Sequence, residues 1–224
     1  SSSSAASDVY KRQPLTTEQI DGKRYYLTPE GNRYPSITTA LSHMSKDAIL
    51  KWRKRVGEEQ ANKISNAASS RGTKVHLIAE KYVLNDPDYL KDVNPIHADI
   101  FKPIGDYLDQ HCDLVYGTEV GMYSDTLQLA GRCDLICRLH GLPCIVDFKT
   151  ASKPKEEKWI NNYFMQCAAY SQMAYERHNI MAKWICILIA TEHDGLQVFY
   201  RKTADHYGDL VSYLDNNRLA IYGN

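Results

Sequence analysis

Two short apolar runs joined by turn residues, the second running straight into charge, constrain this chain more than any other stretch. Leu129 to Arg138 and Cys144 to Phe148 read as strands, and His140-Gly141-Leu142-Pro143 between them supplies the turn of a hairpin. Such a hairpin sets Asp134, Asp147 and Lys149 side by side. Two carboxylates converging beside one ammonium group make poor packing, because buried charge is costly unless paired or bound to metal. They suit a hard divalent cation, which takes oxygen ligands. For an arbitrary Asp-x-Lys the plainer reading is a pair of solvent-facing strand residues. Asp21-Gly-Lys23 and Glu156-Glu-Lys158 are such cases, with no apolar strand before them and no upstream Gly-x-x-Asp. Asp147 differs because Ile145-Val146 leads directly into it and a second aspartate lies on the preceding strand.

A chain of 224 residues suits one domain, or a core with one sizeable insertion, and is long enough to bury most of a proper core. Its longest apolar run, Trp184 to Ala190, is far short of the roughly 20 residues a membrane helix needs, so no membrane partner is expected. Lys plus Arg and Asp plus Glu are 27 each, so net charge does not decide for or against nucleic acid. The six cysteines (Cys112, Cys133, Cys137, Cys144, Cys167, Cys186) are scattered through apolar stretches without a Cys-x-x-Cys pair. They read as small buried hydrophobes of a soluble protein in a reducing, intracellular compartment, and offer no zinc or iron-sulfur ligand set. The Ser-rich opening lacks the apolar core of a signal peptide. Residues 1–13 are expected to be a disordered tail or a sequence scar, and 14–224 a single domain.

Taken in order, Arg24 to Thr28, Pro29-Glu30-Gly31-Asn32 and Arg33-Tyr34 predict a small hairpin. Ser36 then caps a helix with Ile37, Ala40, Leu41 and Met44 on one face. Ser45 and Asp47 open another, through Ile49, Leu50, Trp52 and Val56, and two more follow over 58–68 and 71–84. Between Lys46 and Lys81 there are nine basic residues against four acidic, a local balance of +5. A solvated charged face would account for Lys51 to Arg55. The alternative is a nucleic-acid surface, with Trp52 as a platform for a base. His76 and Glu80 are one helical turn apart and share a face. A lone helical histidine is ordinarily structural, and this spacing is not the His-Glu-x-x-His of zinc proteases. Beyond them the pattern predicts a helix over 97–111 and a strand from Leu114 to Tyr123 bearing Glu119. After the hairpin come a helix from Trp159 to Arg177, an apolar strand from Trp184 to Thr191, a strand from Leu196 to Arg201 and a final helix over 205–222. The core order is helix, three strands, helix, two strands.

The set His76, Glu80, Gly131-x-x-Asp134, Asp147-x-Lys149 and Gln166-x-x-x-Tyr170, in that order, resembles the PD-(D/E)xK nuclease superfamily in its RecB-like branch. The Tyr-rich hairpin, Tyr34-Pro35-Ser36-Ile37-Thr38, the basic helical stretch and Arg71-Gly72-Thr73-Lys74-Val75-His76 resemble the mitochondrial genome maintenance exonucleases and related phage exonucleases. The resemblance covers about residues 22–205. It implies an α/β, restriction-endonuclease-like core with a central mixed β-sheet flanked by helices. A helical, basic, arch-like segment would lie at about 36–70 and the catalytic core at 71–205.

The resemblance further implies that Asp134, Asp147 and the Phe148 main-chain carbonyl bind Mg2+ or Mn2+, with His76 at the same centre and Glu80 beside it. Lys149 would activate or orient water, Gln166 and Tyr170 would fix the scissile phosphate, and Glu119 would support the site. Lys51, Trp52, Arg53, Lys54, Arg55, Arg71 and Lys74 would meet DNA. The expectation is a metal-dependent exonuclease preferring single-stranded DNA with a free end. Two alternatives stay open: a double-strand or structure-specific recombination nuclease on the same core, and a catalytically idle nuclease fold that only binds DNA.

Overall fold

The structure, a computed structural model, describes residues 15–223, so the expected tail at 1–13 lies outside the described residues. The chain opens with β1 (Thr16–Ile20), β2 (Lys23–Leu27) and β3 (Arg33–Pro35), a three-stranded antiparallel sheet in that order. The β2–β3 hairpin matches expectation. Strand β1 was not foreseen, because its sequence TTEQI is polar and almost wholly exposed, with no alternation to read.

Helix α1 (Ile37–Leu41) starts at Ser36, whose Oγ accepts the Thr39 amide at 3.0 Å, the capping the sequence predicts. A 3-10 turn (Ser42–Ser45) leads to α2 (Lys46–Val56), and Gly57, at φ 86°, turns the chain into α3 (Glu58–Val83). Two features here were not foreseen. The apolar face of α2 does not reach the core: none of its residues is buried, and Ile49, Leu50 and the preceding Met44 are exposed. The two helices expected over 58–68 and 71–84 are one helix of 26 residues, about 39 Å long. A glycine inside a helix costs only about 1 kcal/mol relative to alanine. Burial of Val75, Ile78 and Ala79 just beyond Gly72 outweighs that. Before Gly72 every residue from Asn62 to Ser70 is exposed, and Ala61 is buried.

Helix α4 (Pro95–His111) is capped by Asn94, whose side chain accepts the Ile96 amide at 2.9 Å. The main sheet follows, with order β4 (Cys112–Ser124), β5 (Leu129–Leu139), β6 (Leu142–Ala151), β7 (Trp184–Thr191), β8 (Leu196–Lys202). It is mixed: β6 and β7 are parallel, joined through α5 (Asn161–His178), and the other neighbours are antiparallel. The β5–β6 turn is tighter than expected. His140 and Gly141 alone form it, both at positive φ as a two-residue type I′ turn requires, and Leu142 and Pro143 already belong to β6. The final helix is also two, α6 (Ala204–Asn216) and α7 (Arg218–Tyr222), parted at Asn217.

Helices cover both faces of this sheet. On one face α1, α5, α6 and α7 pack on Val120, Cys133, Ile145, Ile185 and Ile187. On the other, α3 and α4 pack on Leu135, Val146, Phe148, Cys186 and Leu188. Strand β7, sandwiched between them, is buried along nearly its whole length, which is why its sequence is continuously apolar. The six cysteines are free and five are buried, as expected of small core residues. Among the described residues, no helix is long and apolar enough to cross a membrane.

Candidate active site

At Asp134, strand β5 misses one pairing with β4 and loses β6 altogether. Pairing with β4 joins Thr118 to Leu135 and Val120 to Cys133 but skips Glu119 and Asp134, and pairing with β6 ends at Leu135 with Val146. The backbone groups left over find side chains. Thr118 Oγ1 donates to the Asp134 carbonyl at 2.9 Å, and Asp134 Oδ2 accepts the Phe148 amide at 2.8 Å. The splayed strands open a cavity of about 490 Å³ lined by His76, Glu80, Glu119, Asp134, Asp147, Lys149, Gln166 and Tyr170. The opening draws on both layers of the fold. Alternation along β6 sends Ile145 and Ala151 to the α5 face, and Asp147 and Lys149 with them, while His76 and Glu80 arrive from α3 on the opposite face.

Asp147 is 1% exposed, and its Oδ1 has no partner among the described residues. Its Oδ2 lies 2.6 Å from Lys149 Nζ, a close ionic contact without the angles of a hydrogen bond. Burial pushes the Asp147 carboxyl up to about 6 against the pull of Lys149. Lys149 is itself held protonated: burial favours its neutral form, but the charges of Asp147 and Asp134 outweigh this and raise it above the usual lysine range. Lys149 Nζ also donates to Gln166 Oε1 at 3.2 Å, and Gln166 Nε2 donates to the Tyr170 hydroxyl at 3.2 Å. The row is fixed by a close fit, since a Cβ on Gly131 would lie 2.7 Å from Tyr170 Cε1.

His76 is fixed at both ring nitrogens. Nδ1 donates to the Gly72 carbonyl one turn back at 2.8 Å, and Nε2 meets Asp134 Oδ2 at 3.1 Å. Burial disfavours its charge, but the Asp134 hydrogen bond and charge prevail and raise it to about 9. Asp134 moves the other way: burial raises it, and the His76 hydrogen bond and charge hold it below the usual carboxylate range. Phe148, 2% exposed, lies in a T-shaped arrangement with His76, their ring centres 6.3 Å apart. Glu119 has a left-handed φ of 51° and is pushed up to about 7, by burial first and then by the charge of Asp134.

The basic residues divide. Lys51, Lys54, Arg55 and Lys74 are exposed, and Trp52 is half-buried. Arg53 is committed within the protein, with Nε donating to Glu58 Oε2 at 3.0 Å and Nη2 to Asn62, across the Gly57 corner. Arg71 pairs with Glu192 and reaches Thr150. Tyr163 beside the cavity, and Arg24 and Arg132 in its wall, escaped the sequence reading. Tyr163 carries the Lys149 ammonium 4.9 Å from its ring centre, and Arg24 and Arg132 line the cavity. Tyr163 was findable, since Tyr163, Gln166 and Tyr170 form a stripe at i, i+3 and i+7 of one helix. Arg132 stands inside Gly131-x-x-Asp134, whereas Arg24 gives no sequence signal.

The donor set suits a hard cation: two converging carboxylates, one with an unpartnered oxygen, and an imidazole whose Nδ1 is anchored on a carbonyl so that Nε2 faces the carboxylates. As the side chains stand, His76 contacts Asp134 directly, and among the described residues no three His, Cys, Asp or Glu are grouped closely enough to hold an ion. No family model and no curated protein matches the chain. Among solved structures it is similar to a crystal structure from Eubacterium rectale described as "putative exonuclease", at 15% identity and a TM-score of 0.49. That match covers 67% of this chain and 66%, just under two thirds, of the other.

Proposed function

We propose that this chain is a metal-dependent deoxyribonuclease, an exonuclease that acts on single-stranded DNA with a free end. One observation carries the reading: Asp147 is buried in a cavity shared with Asp134 and His76, with Lys149 against its Oδ2 and no partner at its Oδ1 among the described residues. A buried carboxylate left in that condition costs stability, and a bound cation accounts for it. Asp134, Asp147, His76 and the Phe148 carbonyl would hold Mg2+ or Mn2+, with Glu80 and Glu119 at its margin. The metal would supply a more acidic water and neutralise charge on the phosphoryl oxygens.

The protein's own groups do the rest. Lys149 places a compact positive charge at the floor, where it orients water and meets charge developing on the phosphate. Gln166 holds Lys149 by its amide oxygen and is held in turn by Tyr170, so the ammonium position is set before substrate arrives. Residues 71–205 form the catalytic core in this reading, within one domain over 14–224. The pair α2 and the first half of α3 leaves the cavity wall near Thr38 and returns to it at Gly72. That course suits a basic arch for a threaded strand.

Digestion of end-labelled linear and covalently closed circular single strands, with Mg2+, Mn2+ or chelator, tests the proposal. Linear strands are degraded with either metal and circles persist. Rapid cutting of circles would mean an endonuclease, and no metal-dependent cutting of either would leave a DNA-binding fold without activity.

A further inference from the structure

The cavity that this reading makes catalytic carries four carboxylates, Glu80, Glu119, Asp134 and Asp147. A polyanion entering it needs positive charge that is not already committed. Lys149 is engaged by Asp147 and Gln166, and Arg71, outside the cavity, by Glu192. Two arginines in the wall are more open: Arg24 is uncommitted, and Arg132, although paired with Glu119, is largely exposed. The Arg132 side chain is 62% exposed and meets Glu119 Oε2 through Nε at 2.7 Å. Arg24, on β2, is exposed, and no ion pair or hydrogen bond holds its guanidinium among the described residues. Its backbone, by contrast, is pinned to the start of α1: the Arg24 amide donates to Thr39 Oγ1 at 3.3 Å and its carbonyl accepts the Ser36 amide at 2.9 Å.

We propose that Arg24 and Arg132 form a phosphate clamp in the cavity wall, which grips a backbone phosphate next to the scissile one, with Glu119 as the positioning residue that presents Arg132. The inference rests on the nuclease reading and adds to it the groups that overcome the cavity's negative charge. A guanidinium matches a phosphate with paired N–H groups, a geometry that lysine lacks. Glu119 supports the same conclusion through its backbone. A non-glycine residue at φ 51° inside a strand is strained, and strain kept at one position serves an arrangement that the relaxed backbone would not give. Here the kink falls where β4 and β5 skip their pairing, and the Glu119 carboxylate at that kink reaches Arg132 from the neighbouring strand. Arg132 stands two residues before Asp134, so the clamp and the proposed metal-binding carboxylate share one strand.

The test is binding without catalysis. Fluorescence anisotropy of a labelled oligothymidylate is followed against KCl in chelator, using the full chain. Arg24→Gln and Arg132→Gln each lower the slope of log affinity against log salt by about 0.7, the value of one lost single-strand phosphate contact. Each weakens low-salt binding about tenfold. Arg132→Lys keeps the slope, because the charge remains. Glu119→Gln weakens binding in the parent chain and has no further effect in the Arg132→Gln background, whereas a merely structural role would give the same loss in both. Unchanged slopes in both arginine variants, or a parent chain whose binding ignores salt, would overturn the clamp. The two readings fail separately. A parent chain that cuts DNA while both variants keep its slope sinks the clamp alone, and one that binds with the predicted slopes but never cuts sinks the nuclease alone.

Discussion

The backbone amide of Phe148 donates to the side chain of Asp134, at 2.8 Å, where a sheet would ordinarily offer it a carbonyl. This bond explains how one sheet gathers side chains from both its faces. Strands β5 and β6 pair through Leu135 and Val146 and then part, and the Asp134 carboxylate satisfies the amide that the parting exposes. The same carboxylate is thereby held toward His76 on α3, while Asp147 and Lys149 look toward α5.

His76 should act on metal affinity more than on folding. His76→Ala removes two hydrogen bonds, one to the Gly72 carbonyl and one to the Asp134 carboxylate, a loss of about 1–2 kcal/mol in the metal-free protein. It also removes the proposed nitrogen ligand, so the metal midpoint for activity rises at least tenfold. Metal titrations and metal-free melting curves of the same variant check both. A destabilised protein with a normal midpoint would take His76 out of the metal site.

Gly131→Ala should damage the site through packing. The new methyl would stand 2.7 Å from Tyr170 Cε1 and 3.1 Å from Ile37 Cγ2, so the ring must move and Gln166 with it. Overpacking of this kind costs about 1–3 kcal/mol. Chemical denaturation gives that number, and turnover per folded molecule should fall because Lys149 loses its anchor. Normal turnover in a destabilised protein would limit Gly131 to a structural role.

The sequence disclosed the hairpin, the order of the core elements and the residues of the motif because their signals are local: alternation, turn residues and charge after an apolar run. It did not disclose the continuity of α3, because Ser69-Ser70-Arg71-Gly72 reads as a break and only packing of Val75, Ile78 and Ala79 overrides it. Nor did it separate Arg53 and Arg71 from their basic neighbours, since Glu58 lies across a corner and Glu192 lies 121 residues away. Arg24 belongs to the cavity only because β2 docks beside α1, with Ser36 bridging to Ala130 of β5.

Those commitments separate the basic residues experimentally. Reversing the exposed Lys51, Lys54 and Arg55 to Glu should reduce the salt slope of single-strand binding by about 0.7 for each that meets a phosphate, with little change in melting temperature. Arg53→Glu should instead lower the melting temperature, because it sets a carboxylate against Glu58 across the Gly57 corner. Equal stability in both variants would contradict the division.

Acid should loosen the link between α5 and the turn that follows β4. Burial raises Glu176, but hydrogen bonds from Ser124, Gln172 and the Asp125 amide prevail and hold its carboxyl below the ordinary 4.5. With the folded value depressed, the contribution to stability is full above about 4.5 and is lost as pH falls through the lower folded value. Melting temperature against pH should therefore fall less steeply below 4.5 for Glu176→Gln than for the parent chain. Parallel curves would show that the group carries no such linkage.

The central claim is that the buried Asp147 and its partner Lys149 perform phosphodiester hydrolysis with a metal held beside them. The most direct measurement is digestion of an end-labelled linear single strand with Mg2+ and with Mn2+ by the parent chain, Asp147→Asn and Lys149→Ala, alongside their melting profiles. The account predicts metal-dependent degradation by the parent chain and a loss on the order of 10³-fold or more in either variant, with the fold and DNA affinity retained. Near-parental turnover in a folded Asp147→Asn or Lys149→Ala protein would contradict it.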